Sequence, residues 1–317
     1  MRLSQLINMD SFKMHMKDTA QFKDSAGILL GRNLTQVDPR VFQKRYPDNV
    51  FLNSGLEIDN TGGYANQIQK IRLSARGSFR DSTDRGSNKG LITIGGEEDT
   101  ISVIQRDATI EYTQTEIEQA KLGNYNLVQK LFGAENEIYN QEIDEILAVG
   151  HSKNEGLLNY SGFTTDATGT TITDATTGTD DFEQIAALIN DQHSSVNNTE
   201  AYMANRVVMP SRVYNIIRVK TYLPNAGTGS VLAALKEKFP GVEFLYSWRN
   251  DDKDTLGDSV TVAYSTNRES MLLRIPLALT VGKTVPMGSF GYKADSKYRI
   301  AGLDVAEDAS GRVLKGL

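Results

Sequence analysis

Residues 114–150 constrain this chain most. Leu127, Val128, Leu131, Phe132, Ile138, Ile143, Ile146 and Leu147 are separated by threes, fours and their sums, which is one apolar stripe along a helix. A short first piece, TQTEIEQAKL, can be capped by Thr113 or Thr115, with Glu116 and Glu118 near its positive end. Gly123 ends that piece. A second run starts near Asn124 and stops at Gly150, a residue suited to a left-handed helix stop. Roughly 24 residues at 1.5 Å each make a rod of about 36 Å. Its other face carries Glu135, Glu137, Glu142, Asp144 and Glu145 and is most simply a solvated surface.

Residues 61–113 read as a long hairpin opened by Gly62 and Gly63. Ile71, Leu73 and Ala75 alternate with Arg72, Ser74 and Arg76, the period-2 pattern of a half-buried strand. A polar tip, GSFRDSTDRGSNKG, runs from Gly77 to Gly90. The return strand is expected over Thr100–Tyr112, with Gly95 and Gly96 as a bend. Hairpin loops usually have 2–5 residues, so an excursion this long, standing away from a core, needs a packing partner.

Its charges are segregated. From Tyr64 to Gly90, Lys70, Arg72, Arg76, Arg80, Arg85 and Lys89 face only Asp81 and Asp84, a balance of +4. From Leu91 to Thr113, Arg106 faces Glu97, Glu98, Asp99, Asp107 and Glu111, a balance of −4. Two readings are open: pairing across the hairpin, or complementarity between neighbouring subunits. On the second, Lys70, Arg72, Arg76, Arg80, Arg85, Lys89, Glu97, Glu98 and Asp99 are candidate contact residues.

Residues 1–60 are polar with scattered apolar anchors such as Phe12, Phe22, Leu29, Phe42, Phe51 and Leu52. They cannot easily build a core of their own and read as an arm laid across something folded, or as a flexible terminus. Residues 161–181 include nine threonines and no basic residue, a surface loop or short β-excursion. Residues 182–265 look like a compact α/β unit. It has a helix through Phe182, Ile185, Leu188 and Ile189, a buried strand Arg206–Met209, helices capped by Ser211 and Ser230, and strands at Val242–Tyr246 and Val260–Tyr264. The remainder is β-rich, with strands expected at Ser270–Ile275, Leu279–Val285 and Tyr298–Val305.

Several function classes are excluded or lack support. The net charge of −6 is opposite to the cationic excess that phosphate neutralisation demands. No cysteine is present, which removes disulfides, thiolate metal sites and cysteine nucleophiles. No run approaches the roughly 18 apolar residues of a membrane helix, and the N-terminus lacks the apolar core of a signal peptide. Gly282-Lys283-Thr284 has Leu277 where a phosphate-binding loop needs its first glycine. Gly227 and Gly229 lack the third glycine of a dinucleotide fingerprint, Leu232 standing in its place. Asp252, Asp254 and Gly257 resemble part of a calcium loop, but Ala263 occupies the position of its bidentate glutamate. His15, His151 and His193 form no metal pattern. Asp191, His193 and Ser194 read as exposed polar residues at a helix end. No catalytic, cofactor or metal site is expected.

The order of parts resembles one family. Tyr112-Thr113-Gln114-Thr115-Glu116-Ile117 leads to Ala120 and Gly123-Asn124; then come Gly150 and Glu155-Gly156-Leu157-Leu158-Asn159; then Val208-Met209-Pro210-Ser211 with Tyr214; last the strand Tyr298-Arg299-Ile300-Ala301-Gly302-Leu303. Each motif is soft, but their order over about 60–317 is similar to the major capsid proteins of tailed bacteriophages. The resemblance implies an α+β, Hong Kong 97-like phage capsid fold. It would have an N-terminal arm (1–60), an extended E-loop hairpin (61–113), a peripheral domain with a spine helix (114–181 and 266–317) and an axial domain (182–265). The arm matches no quotable motif.

The implied function is self-assembly, as hexamers and pentamers, into an icosahedral head enclosing double-stranded DNA without sequence-specific binding. The virion is the implied location, with assembly in the host cytoplasm and no membrane. Decoration, scaffolding and portal proteins are the partners such a shell admits. Some members join lysine to asparagine between subunits; Lys70 and Lys89 are available, though nothing in the sequence assigns such a bond. An encapsulin-like nanocompartment shell, a phage tail or adhesin protein, and an enzyme of unrecognised type are the competing readings.

Overall fold

The computed structural model describes residues 48–80, 90–167, 171–195, 202–223, 229–251 and 256–317. In chain order, the strands are β1 (Ile58–Asp59), β2 (Gln67–Gly77), β3 (Ile92–Ser102) and β4 (Ile104–Thr113). Helices α1 (Gln114–Leu122) and α2 (Leu127–Val149) follow, then β5 (Gly150–His151), β6 (Asn154–Glu155) and β7 (Thr164–Ala167). Next are α3 (Gly178–Ser195), β8 (Arg206–Pro210), α4 (Ser211–Val219), α5 (Val231–Lys238), β9 (Glu243–Ser247) and β10 (Val260–Tyr264). The chain ends with β11 (Met271–Arg274), β12 (Leu277–Val281), β13 (Val285–Met287), β14 (Gly291–Ile300), β15 (Gly302–Val305) and β16 (Gly311–Lys315).

The two-piece helix forms as expected, for local reasons. Thr113 and Glu116 make a reciprocal capping box: the Glu116 N–H donates to Thr113 Oγ1 at 3.2 Å, and the Thr113 N–H donates to Glu116 Oε2 at 2.8 Å. Asn126 caps α2 by accepting from the Gln129 N–H. Gly150 stops α2 at φ +87° and ψ −162°, a glycine conformation outside the left-handed helical well expected for it. A Cβ there would lie 2.4 Å from the Asn154 carbonyl oxygen. Only the C-terminal half of α2 is buried, through Ile143, Ile146, Leu147 and Ala148, whereas Ile138 is 60% exposed.

A five-stranded sheet, β7-β16-β10-β8-β9, lies between two cores. Val208, Val262, Tyr264 and Val313 join the C-terminal half of α2 on one face. Val207, Met209, Ala263 and Leu314 join α3, α4 and α5 on the other. Burial on both faces explains why β8 reads as an unbroken apolar run. β16 and β7 complete this sheet from outside residues 182–265. Ser230 caps α5 as expected, but Ser211 is the first residue of α4, whose N-cap, Pro210, offers no side-chain bond.

Three strand expectations are corrected. The return limb of the hairpin is β3, not Thr100–Tyr112; β2 pairs with β3 from Gln67↔Ser102 to Gly77↔Ile92. Gly95 and Gly96 lie inside that strand. The chain then leaves the hairpin, and β4 pairs along its whole length with β14, from Ile104↔Ile300 to Thr113↔Gly291. The expected Leu279–Val285 strand is divided into β12 and β13. The expected Tyr298–Val305 strand breaks at Ala301, between the end of β14 and Gly302, which opens β15 at φ +91°.

Residues 1–47 of the expected arm lie outside the described residues. Residues 48–60 lie on the chain's own body: Phe51 and Leu56 are in its core, and β1 runs parallel to β11.

Candidate subunit-contact surface

The hairpin is anchored at its base and exposed beyond it. Because side chains alternate along β2, Ile68, Lys70 and Arg72 turn toward the body. Ile68 packs on Ile101, Val103 and Ala301. The Lys70 ammonium donates to Asp304 Oδ1 and to the Val305 carbonyl, both at 2.7 Å, and lies 3.2 Å from Asp99 Oδ2. Arg72 reaches the Val305 carbonyl at 3.3 Å and Asp99 at 3.7 Å. Asp304 is held from its other side by the Arg274 Nε, at 2.8 Å, and Arg274 also pairs with Asp59. Burial alone would raise the Asp99 carboxyl, but the Lys70 bond and charge, the Thr100 N–H and Arg72 together hold it below the usual carboxylate range.

Beyond the base, the apolar alternation points the other way. Leu73 is 72% exposed, and Ile71, Ile92 and Ile94 are exposed beside it. Ala75↔Ile94 and Gly77↔Ile92 are direct cross-strand partners, so these residues share one face with Ile71 and Leu73. Phe79, 92% exposed, and Leu91 extend the patch toward the tip. The half-buried strand expected from the alternation is therefore buried on its charged side and bare on its apolar side.

The charged residues singled out in the sequence divide accordingly. Lys70, Arg72 and Asp99 come together as a cross-strand cluster within the subunit. Glu98 accepts from the Gln69 side chain at 2.8 Å. Glu97 is in register with Arg72. Arg76 and Arg80 are exposed toward the tip. Arg85 and Lys89 lie outside the described residues.

A second set of residues escapes the sequence reading. Asp144, placed there on the solvated face of the helix, is 3% exposed. Its Oδ1 accepts the Phe51 and Leu52 N–H groups at 2.8 and 3.0 Å, and its Oδ2 lies 3.1 Å from the Arg249 Nε. Arg249 also reaches Glu145 and the Gln141 carbonyl. One carboxylate thus fastens the end of the arm and the turn after β9 to α2. Burial pushes the Asp144 carboxyl up, against the pull of the Leu52 N–H, Arg249 and the Phe51 N–H. Glu142, also assigned to the solvated face, accepts from Arg106 at 2.7 Å and from the Tyr298 hydroxyl, tying α2 to β4 and β14. The flanking Ile143, Ile146 and Leu147 were the available signal that this part of the acidic face turns inward.

Among the described residues, no group of three or more histidine and carboxylate side chains could hold a metal ion. No described helix is long and apolar enough to cross a membrane. Gly282-Lys283-Thr284 lies in the turn between β12 and β13, with no helix after it. The loop containing Asp252 and Asp254 lies outside the described residues.

The comparisons with known proteins agree with this architecture. The capsid of Myoviridae Phage XM1 is 40% identical to this chain and superimposes with a TM-score of 0.81, covering 92% of this chain and 100% of that one. The capsid of a native GTA particle (TM-score 0.67) and a chain of Microbacterium phage Oxtober96 (TM-score 0.64) share the fold at 14% identity, each covering 92% of this chain and 99% of the other. No curated protein matches. A family profile described as major capsid protein matches residues 90–313. This match over more than half the chain, with the mixed helix and sheet fold of phage capsids, shows that the chain belongs to the major capsid protein family, the structural, non-enzymatic proteins that build phage heads.

Proposed function

We propose that the bare face of the β2–β3 hairpin is the surface on which one subunit of the head docks on the next. The observation that carries this is the split in its burial. The base is fixed to its own body by Lys70 and Ile68, while Ile71, Leu73, Ile92, Ile94 and Phe79 are exposed. A contiguous apolar face of that kind on a soluble subunit marks an interaction surface. A partner of the same sequence makes a heterologous contact that repeats around a ring and closes a shell. Arg76, on the other face of β2, and Arg80, past its end, add cationic groups toward the tip to steer the encounter. The basic limb therefore serves both earlier readings, with pairing inside the hairpin at its base and contact between subunits toward its tip.

In the terms of the Hong Kong 97-like fold, residues 61–113 act as the E-loop. Residues 114–181 and 266–317 form the peripheral domain, and 182–265 the axial domain. Hexamers and pentamers of the subunit close an icosahedral shell around double-stranded DNA in the host cytoplasm. The net charge of −6 lets such a wall enclose DNA without gripping it. The test is expression followed by negative-stain electron microscopy of the parent and of Ile71→Ser/Leu73→Ser/Ile94→Ser. Closed shells or hexameric rings are expected from the parent. The variant is expected to give dispersed subunits that melt within about 0.5 kcal/mol of the parent, as exposed substitutions do. A variant that assembles normally sinks the docking role of this face.

A further inference from the structure

We propose that the aromatic groove beside β9 is the seat of the stretch of this same chain that precedes Asp48, residues 41–47 (VFQKRYP). The groove measures about 730 Å³ and lies between α4, the strand β9 with its following turn, and the segment beginning at Asp48. Its walls are unusual for a free surface. Tyr246 is 51% exposed and Trp248 is 49% exposed. Tyr214 packs tilted against Tyr246 at 4.6 Å between ring centroids, and the Arg249 guanidinium lies 4.8 Å from the Trp248 ring centroid. Among the described residues β9 is also the edge of its sheet, next to β8, so its outer backbone groups face the same region.

The occupant is indicated by where the chain enters. Asp48, Asn49 and Val50 form one lip of the groove. Their position is set by the turn that closes with the Asn53 N–H on the Asn49 carbonyl, and by Asp144 holding the next two amides. Residue 47 is one Cα step, about 3.8 Å, from that lip. Tyr46 precedes a proline, which biases it toward extended backbone, the shape a groove accepts. Seven extended residues reach at most about 25 Å. Phe42 and Tyr46 supply rings, and Lys44 and Arg45 supply cations for the faces of Tyr246 and Trp248. A tethered segment also competes at millimolar effective concentration, an advantage that a second copy lacks. The inference concerns a contact within one chain and does not rest on the docking role of the hairpin.

Trp248 is the only tryptophan and there is no cysteine, so its fluorescence reports the groove alone. In the full-length protein its emission should be blue-shifted and protected from acrylamide. In Phe42→Ser/Tyr46→Ser it should shift to the red and lose that protection, with circular dichroism unchanged. Identical quenching in the two proteins overturns the proposal. If the variant does not fold, photo-cross-linking decides, with benzoylphenylalanine in place of Tyr46 in the full chain. A cross-link to the Tyr246–Trp248 peptide within one chain supports the proposal. A cross-link between chains assigns the groove to a second copy and overturns it, as does the absence of any cross-link there.

Discussion

Asp144 and Arg249 meet at 3.1 Å from elements more than a hundred positions apart in the chain, and the same carboxylate holds the Phe51 and Leu52 amides. Both side chains are withdrawn from water. Removing one member of a buried pair leaves the other uncompensated, at a cost of about 3–5 kcal/mol. Asp144→Ala should lose an amount near the lower end, because Glu145 and the Gln141 carbonyl still hold Arg249. Chemical denaturation measures this, and a loss under half a kcal/mol would show that the clamp is ornamental. The sign of its pH dependence follows from the raised carboxyl. The folded state holds this proton more tightly than the unfolded chain, so the contribution is full at acid pH and is lost as pH rises through the raised value. Asp144→Asn should flatten that part of the stability profile.

Lys70 is the pin of the hairpin. Lys70→Met deprives Asp304 of one of its two cations and Asp99 of its closest. Because Arg274 still faces Asp304, the cost should be about 1–3 kcal/mol. It should appear locally, as faster amide exchange in β2 and β3 with β8 and β10 unchanged. Acid should mimic the substitution. The Asp99 carboxyl is lowered, so its pairing is present above the ordinary carboxylate range and lost as pH falls through the depressed value. Exchange that quickens uniformly over the whole subunit would contradict an anchoring role.

His151 should titrate below the ordinary imidazole value of 6.5. Burial lowers it most, against the Ala301 carbonyl, with Arg106 and Lys153 adding to the depression. The Lys153 N–H points at Nδ1 and Nε2 lies 3.1 Å from the Ala301 carbonyl oxygen, an arrangement satisfied by the neutral ring protonated on Nε2. Stability from this group is therefore present above the ordinary value and lost as pH falls. Nuclear magnetic resonance titration of the imidazole protons measures the midpoint; a value above 6.5 would mean the ring is solvated or paired with an anion.

The sequence by itself determined what depends on residues a few positions apart. The Thr113–Glu116 box, the break after Gly123, the stop at Gly150 and the buried run Val207–Met209 are local events, written in caps and periods. The tertiary structure alone decided which strand each strand meets and which face each element buries. Ile104–Thr113 has the alternation of a hairpin limb, yet its partner is Gly291–Ile300, nearly two hundred residues away. Ile71 and Leu73 alternate like a buried face but are bare, because Lys70 and Arg72 find Asp304 and the Val305 carbonyl on the other side. Asp144 looks like one more surface acid until Phe51, Leu52 and Arg249 close over it. A period states that two faces differ; which one is covered is a difference in burial energy that exists only once distant segments have come together.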